Sequence, residues 1–175
     1  LLFYRSTSTW PPNIIKFMKN SVRLSLAMLL LASVAFPARA AFTSLYVLGD
    51  SISTTTNNTS GMSCYYGQRY SNGRVWVEDL AQMQGLVYNS AENDSFYGNY
   101  SALLVTNLNN FSPKDAGTAL VVLWINDADL VEAAYNDGNN QAQWNADINR
   151  SQVNHFNIIA QLYAKGVRTL VMPNA

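Results

Sequence analysis

Leu45-Tyr46-Val47-Leu48-Gly49-Asp50-Ser51-Ile52-Ser53 decides what kind of sheet this chain builds. Four apolar or aromatic residues in a row read as a short strand buried on both faces. Gly49 breaks the strand, and a polar run from Ser51 to Ser60 follows. In parallel-sheet proteins ligands sit outside the carboxyl ends of the strands, which is where Ser51 falls. A serine hydroxyl there can face a substrate, and N–H groups of the next turn can face a developing negative charge.

Working outward, three more apolar runs read as strands: Leu86–Tyr88, Ala119–Ile125 and Val167–Met172. Between them the spacing predicts helices over Arg74–Gln84, around Ala102–Leu108, from Leu130 to Tyr135 and over Ala146–Lys165. In the last of these Ile148, Phe156, Ile159 and Leu162 are expected to face inward. Alternation of strand and helix predicts an α/β fold with a mainly parallel sheet and right-handed crossovers. Tyr65, Tyr66 and Tyr70, in the long polar segment after Ser51, are candidates for a pocket wall.

Charge is distributed unevenly along the 175 residues, although the formal net charge is zero. Beyond residue 40 six Lys or Arg face eleven Asp or Glu, a net charge of −5. No basic patch remains, and nucleic acid is not an expected partner. The N-terminal region explains the imbalance. Met18-Lys19-Asn20-Ser21-Val22-Arg23 is a short basic segment, Leu24–Phe36 is largely apolar, and Ala38 and Ala40 are small residues at the −3 and −1 positions of a cleavage site. Residues 18–40 are therefore expected to be a signal peptide cut after Ala40. The product would be secreted or periplasmic, with no stable membrane span after cleavage. Residues 1–17 are expected to be an upstream extension, and 41–175 the folded domain. Cys64 is the only cysteine, so neither an intrachain disulfide nor a cysteine metal cluster is expected.

Three polar breaks follow three apolar runs: Gly49-Asp50-Ser51, Asn89 to Asp94, and Asn126 to Asp129. A parallel sheet brings such breaks to one edge. A serine, amides and carboxylates gathered there suit acyl transfer.

These residues resemble the GDSL, or SGNH, family of serine esterases and lipases. The likeness rests on the strand ending in Gly49-Asp50-Ser51, the helix start Asn72-Gly73-Arg74-Val75-Trp76-Val77-Glu78, and the strand ending in Trp124-Ile125-Asn126-Asp127. It runs from about Ser44 to Asn174. The resemblance implies a flavodoxin-like three-layer α/β/α sandwich, incomplete at the C-terminus, and hydrolysis of small-molecule, lipid or glycan esters through an acyl-serine without a cofactor. It makes Ser51 the nucleophile, places Ser51, Asn126 and Gly98 in the oxyanion hole, and leaves Asp50 and Asp127 as supporting residues. The pattern departs at several points. Asp94 stands at the spacing of the family's oxyanion glycine, with Gly98 the nearest glycine. Trp124 replaces a glycine, and a shift of two residues would align Asp129 and put Ala128 in place of Asn126. The family's late Asp-x-x-His is not in the sequence. His155, the only histidine, falls mid-helix and reads as a packing residue, so the catalytic His and Asp are expected beyond residue 175. Two rivals stand beside this reading. One is a non-catalytic module that binds glycan or another ligand. The other is a phosphoesterase holding a hard cation on Asp50, Asp127 and Asp129.

Overall fold

A computed structural model describes residues 41–55, 66–67 and 69–173. The expected extension, the signal segment, Cys64 and Tyr65 lie outside the described residues. Three strands form one sheet: β1 (Leu45–Gly49), β2 (Leu120–Trp124) and β3 (Thr169–Val171). They lie in the order β1-β2-β3 and every pairing is parallel. Leu45 stands opposite Leu120 and Gly49 opposite Trp124, so the two strands end level. Four helices accompany them among the described residues: α1 (Trp76–Met83), α2 (Ser101–Asn107), α3 (Asn126–Asp137) and α4 (Gln141–Ala164).

Alternate residues of a strand point to opposite faces, and here both faces are apolar. Leu48, Val121 and Leu123 pack with Leu104, Leu108, Ile158 and Leu162, under α2, the turn after it and α4. Leu45, Val47, Leu120 and Val122 pack on the other face with Val77 and Ala81 of α1. The result is an α/β fold whose sheet is covered on both sides. Among the described residues, no helix is long and apolar enough to cross a membrane.

The expected strand Leu86–Tyr88 does not form. Leu86 and Tyr88 instead lay their side chains on the α1 face of the core, and Val87 is 93% exposed. The free edge of β1 is taken by the segment after it: Asn93 makes a single parallel bridge to Val47, and the Asp94 N–H donates to the Val47 carbonyl at 2.8 Å. The break expected after β2 is also absent as a loop, because α3 starts at Asn126 itself. Asp127 and Asp129 occupy its first turn, where carboxylates complement the helix dipole. Helix α4 begins five residues ahead of its expected start, where the Asn140 side chain accepts the Gln143 N–H. Of the residues expected to face inward, Leu162 is buried and Ile159 packs against the core, whereas Phe156 is 72% exposed and Ile148 37%, and Ile158 is buried instead.

One ion pair fixes how α1 begins. Glu78 accepts the Val75 N–H at 2.9 Å and receives the Arg69 guanidinium on both carboxylate oxygens at 2.7 Å. Burial pushes this carboxyl up, but the Arg69 hydrogen bonds and the Val75 N–H hold it below its ordinary value. Removing one partner of such a pair leaves a charge without compensation. Arg69→Met should therefore cost about 3 kcal/mol in urea unfolding at pH 7. A carboxyl held low in the folded state stabilises above its unfolded pKa, and that contribution fades as pH falls through the folded value. The deficit should accordingly shrink toward pH 3. A deficit that stays constant with pH would mean that the lost guanidinium acts through packing alone.

Candidate functional site

The carboxyl ends of β1 and β2 are locked together before any side chain contributes, since the Asp50 N–H donates to the Trp124 carbonyl at 2.9 Å. Asp50 then turns the chain into a single 3-10 turn, Ser51–Ser53, by accepting the Ile52 N–H on Oδ1. Gly49 leaves no room for a side chain: a Cβ there would lie 2.6 Å from Ser95 Oγ and 2.8 Å from Ser53 Cβ.

A second segment, Asn93–Asn99, is laced to this turn. Asn93 Nδ2 donates to the Ser53 carbonyl at 2.8 Å, Thr54 Oγ1 to the Ser95 carbonyl at 2.9 Å, and Asn99 Nδ2 to the Gly49 carbonyl at 2.9 Å. Asn93 and Asn99 are buried, at 2% and 0% exposure. Neither is among the site residues expected from the sequence. The visible signal was Asn93-Asp94-Ser95, in which Asn93 Oδ1 accepts the Ser95 N–H as an asparagine turn does.

The lacing brings Gly98 to Ser51. Both line one cleft of about 520 Å³, together with Asp127 and Ala128 from the first turn of α3 and the tyrosines Tyr97, Tyr100 and Tyr135. Gly98 has φ +77°, a conformation that other residues rarely adopt. Among the described residues, neither the Ser51 N–H nor the Gly98 N–H donates a hydrogen bond. Asn126 opens α3 at the same sheet edge.

Other expected participants lie elsewhere. Asp94 lines a separate crevice with Ser95, Asn99 and Phe111, and Asn89 caps the short turn Ser90–Glu92 by accepting the Ala91 N–H. Asp129 is engaged away from Ser51: it accepts the Ser101 N–H at 2.9 Å and the Ser151 hydroxyl, and so joins α2, α3 and α4. Among the described residues, no three His, Cys, Asp or Glu gather to hold a metal ion. Asp50, Asp127 and Asp129 therefore do not make the cation site that a phosphoesterase would need. Tyr70 stacks on Tyr97, with centroids 5.7 Å apart and planes at 29°, whereas Tyr66 lies under the Arg69 guanidinium.

His155 lines a different hollow, with Asp129, Phe156 and Met172. Its Nδ1 lies 2.7 Å from the Ser151 carbonyl, one turn back on α4, so Nδ1 carries the proton. This histidine is held by its own helix rather than by Ser51.

Beneath the cleft Asp50 is 1% exposed, and its Oδ2 accepts no hydrogen bond among the described residues. Burial pushes its carboxyl up to about 6, with the charge of Asp127 adding to the rise and the N–H groups of Ile52 and Ala128 opposing it. No family model matches the chain, and no curated protein does.

An acid whose folded pKa is raised favours folding while protonated, and that contribution is lost as pH rises through the folded value. Asp50→Asn keeps an acceptor for the Ile52 N–H and cannot ionise. The variant should match the parent near pH 4 and exceed it above pH 7 by up to about 3 kcal/mol. Thermal unfolding across that range checks the sign. A variant less stable than the parent above pH 7 would show that the ionised carboxylate holds the turn.

Proposed function

We propose that this chain carries the nucleophile and oxyanion side of an exported serine ester hydrolase of the GDSL type. The observation that supports it best is the pairing of Ser51 with Gly98 in one cleft, both N–H groups without an acceptor among the described residues, at the carboxyl edge of a parallel sheet. The sheet order and the cover on both faces agree with a flavodoxin-like three-layer sandwich, the fold the resemblance implies. The signal-like segment 18–40 supports export.

In this reading Ser51 Oγ attacks the ester carbonyl, and the N–H groups of Ser51 and Gly98 and the Asn126 amide receive the oxyanion. The acyl C–O bond breaks, the alcohol leaves with a proton, and water then releases the carboxylic acid from Ser51. Asp50 is a positioning residue: it caps the turn that carries Ser51. His155 is not the proton acceptor in this reading, because it lines another hollow.

A positioned base contributes about 10² to 10⁴-fold, so this chain alone should hydrolyse 4-nitrophenyl acetate feebly. Added imidazole should raise the rate above the protein-free control, and Ser51→Ala should return it to that control. Asn126→Ala should lower the imidazole-dependent rate by about 10² to 10³-fold. Undiminished turnover in Ser51→Ala would remove the nucleophile and the proposal with it. A non-catalytic binding module remains the rival reading, favoured by Asp94 and Trp124 standing where the family carries glycines. Its expected result is a rate equal to the control at every imidazole concentration.

A further inference from the structure

The walls of the Ser51 cleft carry a second kind of information. Tyr97, Tyr100 and Tyr135 line it while being 52%, 36% and 90% exposed. Ring faces left in water at the mouth of a cleft mark a surface that a ligand covers. Among the described residues that line it, the charged ones are Asp127 and Glu132, both acidic, with no Lys or Arg. An anionic ligand would meet like charges. Long alkyl chains are poorly matched as well, because among the described residues Ala128 and Val131 are the only aliphatic side chains lining the cleft. A quaternary ammonium group needs a closed aromatic cage that strips its water. Tyr135, at 90% exposure, does not close one.

We infer that the cleft holds the neutral sugar of an O-acylated saccharide, with the C–H faces of the sugar on the tyrosine rings and its hydroxyls donating to the carboxylates. This rests on the reading of Ser51 as the nucleophile and adds the alcohol part of the ester. Tyr97 is backed by a second ring, since Tyr70 stacks on it. Asp127 and Glu132 accept from hydroxyl groups, and the Asn136 amide offers both a donor and an acceptor.

The test needs no turnover. Full-length protein, labelled with ¹⁵N, is titrated with cellohexaose, xylohexaose and chitohexaose, and separately with a galacturonic acid hexamer. At least one neutral hexamer should shift the amides of Tyr97, Gly98 and Asp127 together. Tyr135→Ala should weaken that binding by about tenfold, the loss expected for one stacked ring. Tyr97→Ala should weaken it at least as much, and Tyr97→Phe should largely preserve it. Tyr135 is exposed, so its variant folds even where Tyr97→Ala does not. The inference is overturned if no neutral hexamer binds, if binding ignores both alanine variants, or if the acidic hexamer binds as tightly as the neutral ones. Binding without any imidazole-dependent esterase activity would keep the sugar site and remove the hydrolase. Esterase activity without binding would remove the sugar site alone.

Discussion

Gly49 is the point on which the rest of the structure depends. Its partner across the sheet is Trp124, and beyond it the Asp50 N–H adds one more bond to Trp124. On the other side Ser95 Oγ and Ser53 Cβ close on its Cα so tightly that no Cβ fits. Its carbonyl takes two donors, the Phe96 N–H and Asn99 Nδ2. One residue without a side chain thus holds the end of β1, the turn that carries Ser51 and the segment that carries Gly98. Asn93 Nδ2, Asn99 Nδ2 and Thr54 Oγ1 each donate to a carbonyl of the neighbouring segment, which fixes the separation of the segments better than apolar packing could, while Ser95 Oγ and Trp124 Nε1 are buried without a partner among the described residues.

Asp50 shows the cost of that arrangement. Its Oδ1 is needed to cap the Ser51–Ser53 turn, so the carboxyl must go where water cannot follow. Burial then favours the proton, and the nearby charge of Asp127 favours it further. The cap and the ionisation state pull in opposite directions. The same burial keeps the turn rigid, and a rigid turn is what an oxyanion site requires.

The apolar runs at 45–48 and 119–125 announced central strands because a parallel sheet covered on both faces needs no alternation of polar residues. The edge of the sheet was less legible. Leu86-Val87-Tyr88 has the composition of a strand, but the backbone pairing to β1 goes to Asn93 and Asp94, residues usually read as loop formers. The Asn93 side chain reinforces that pairing by donating to the Ser53 carbonyl. The start of α3 was hidden for a related reason, since Asn126-Asp127-Ala128-Asp129 suits a turn and a helix N-terminus equally. Ser51 stood out because it closes a strand. Asn99, Tyr97 and Tyr100 did not, because nothing local says that an irregular segment will fold back on a strand fifty residues earlier.

In the proposed oxyanion hole the Ser51 and Gly98 N–H groups face one point above the Ser51 hydroxyl. Titration of ¹⁵N-labelled protein with butylboronic acid, which forms a tetrahedral adduct on a reactive serine hydroxyl, addresses it directly. The account predicts that both amide resonances move downfield along one saturation curve while the boron resonance moves into the tetrahedral range. It also predicts that Ser51→Ala removes both changes. Shifts at Ser51 without Gly98, or shifts that persist in Ser51→Ala, would contradict it.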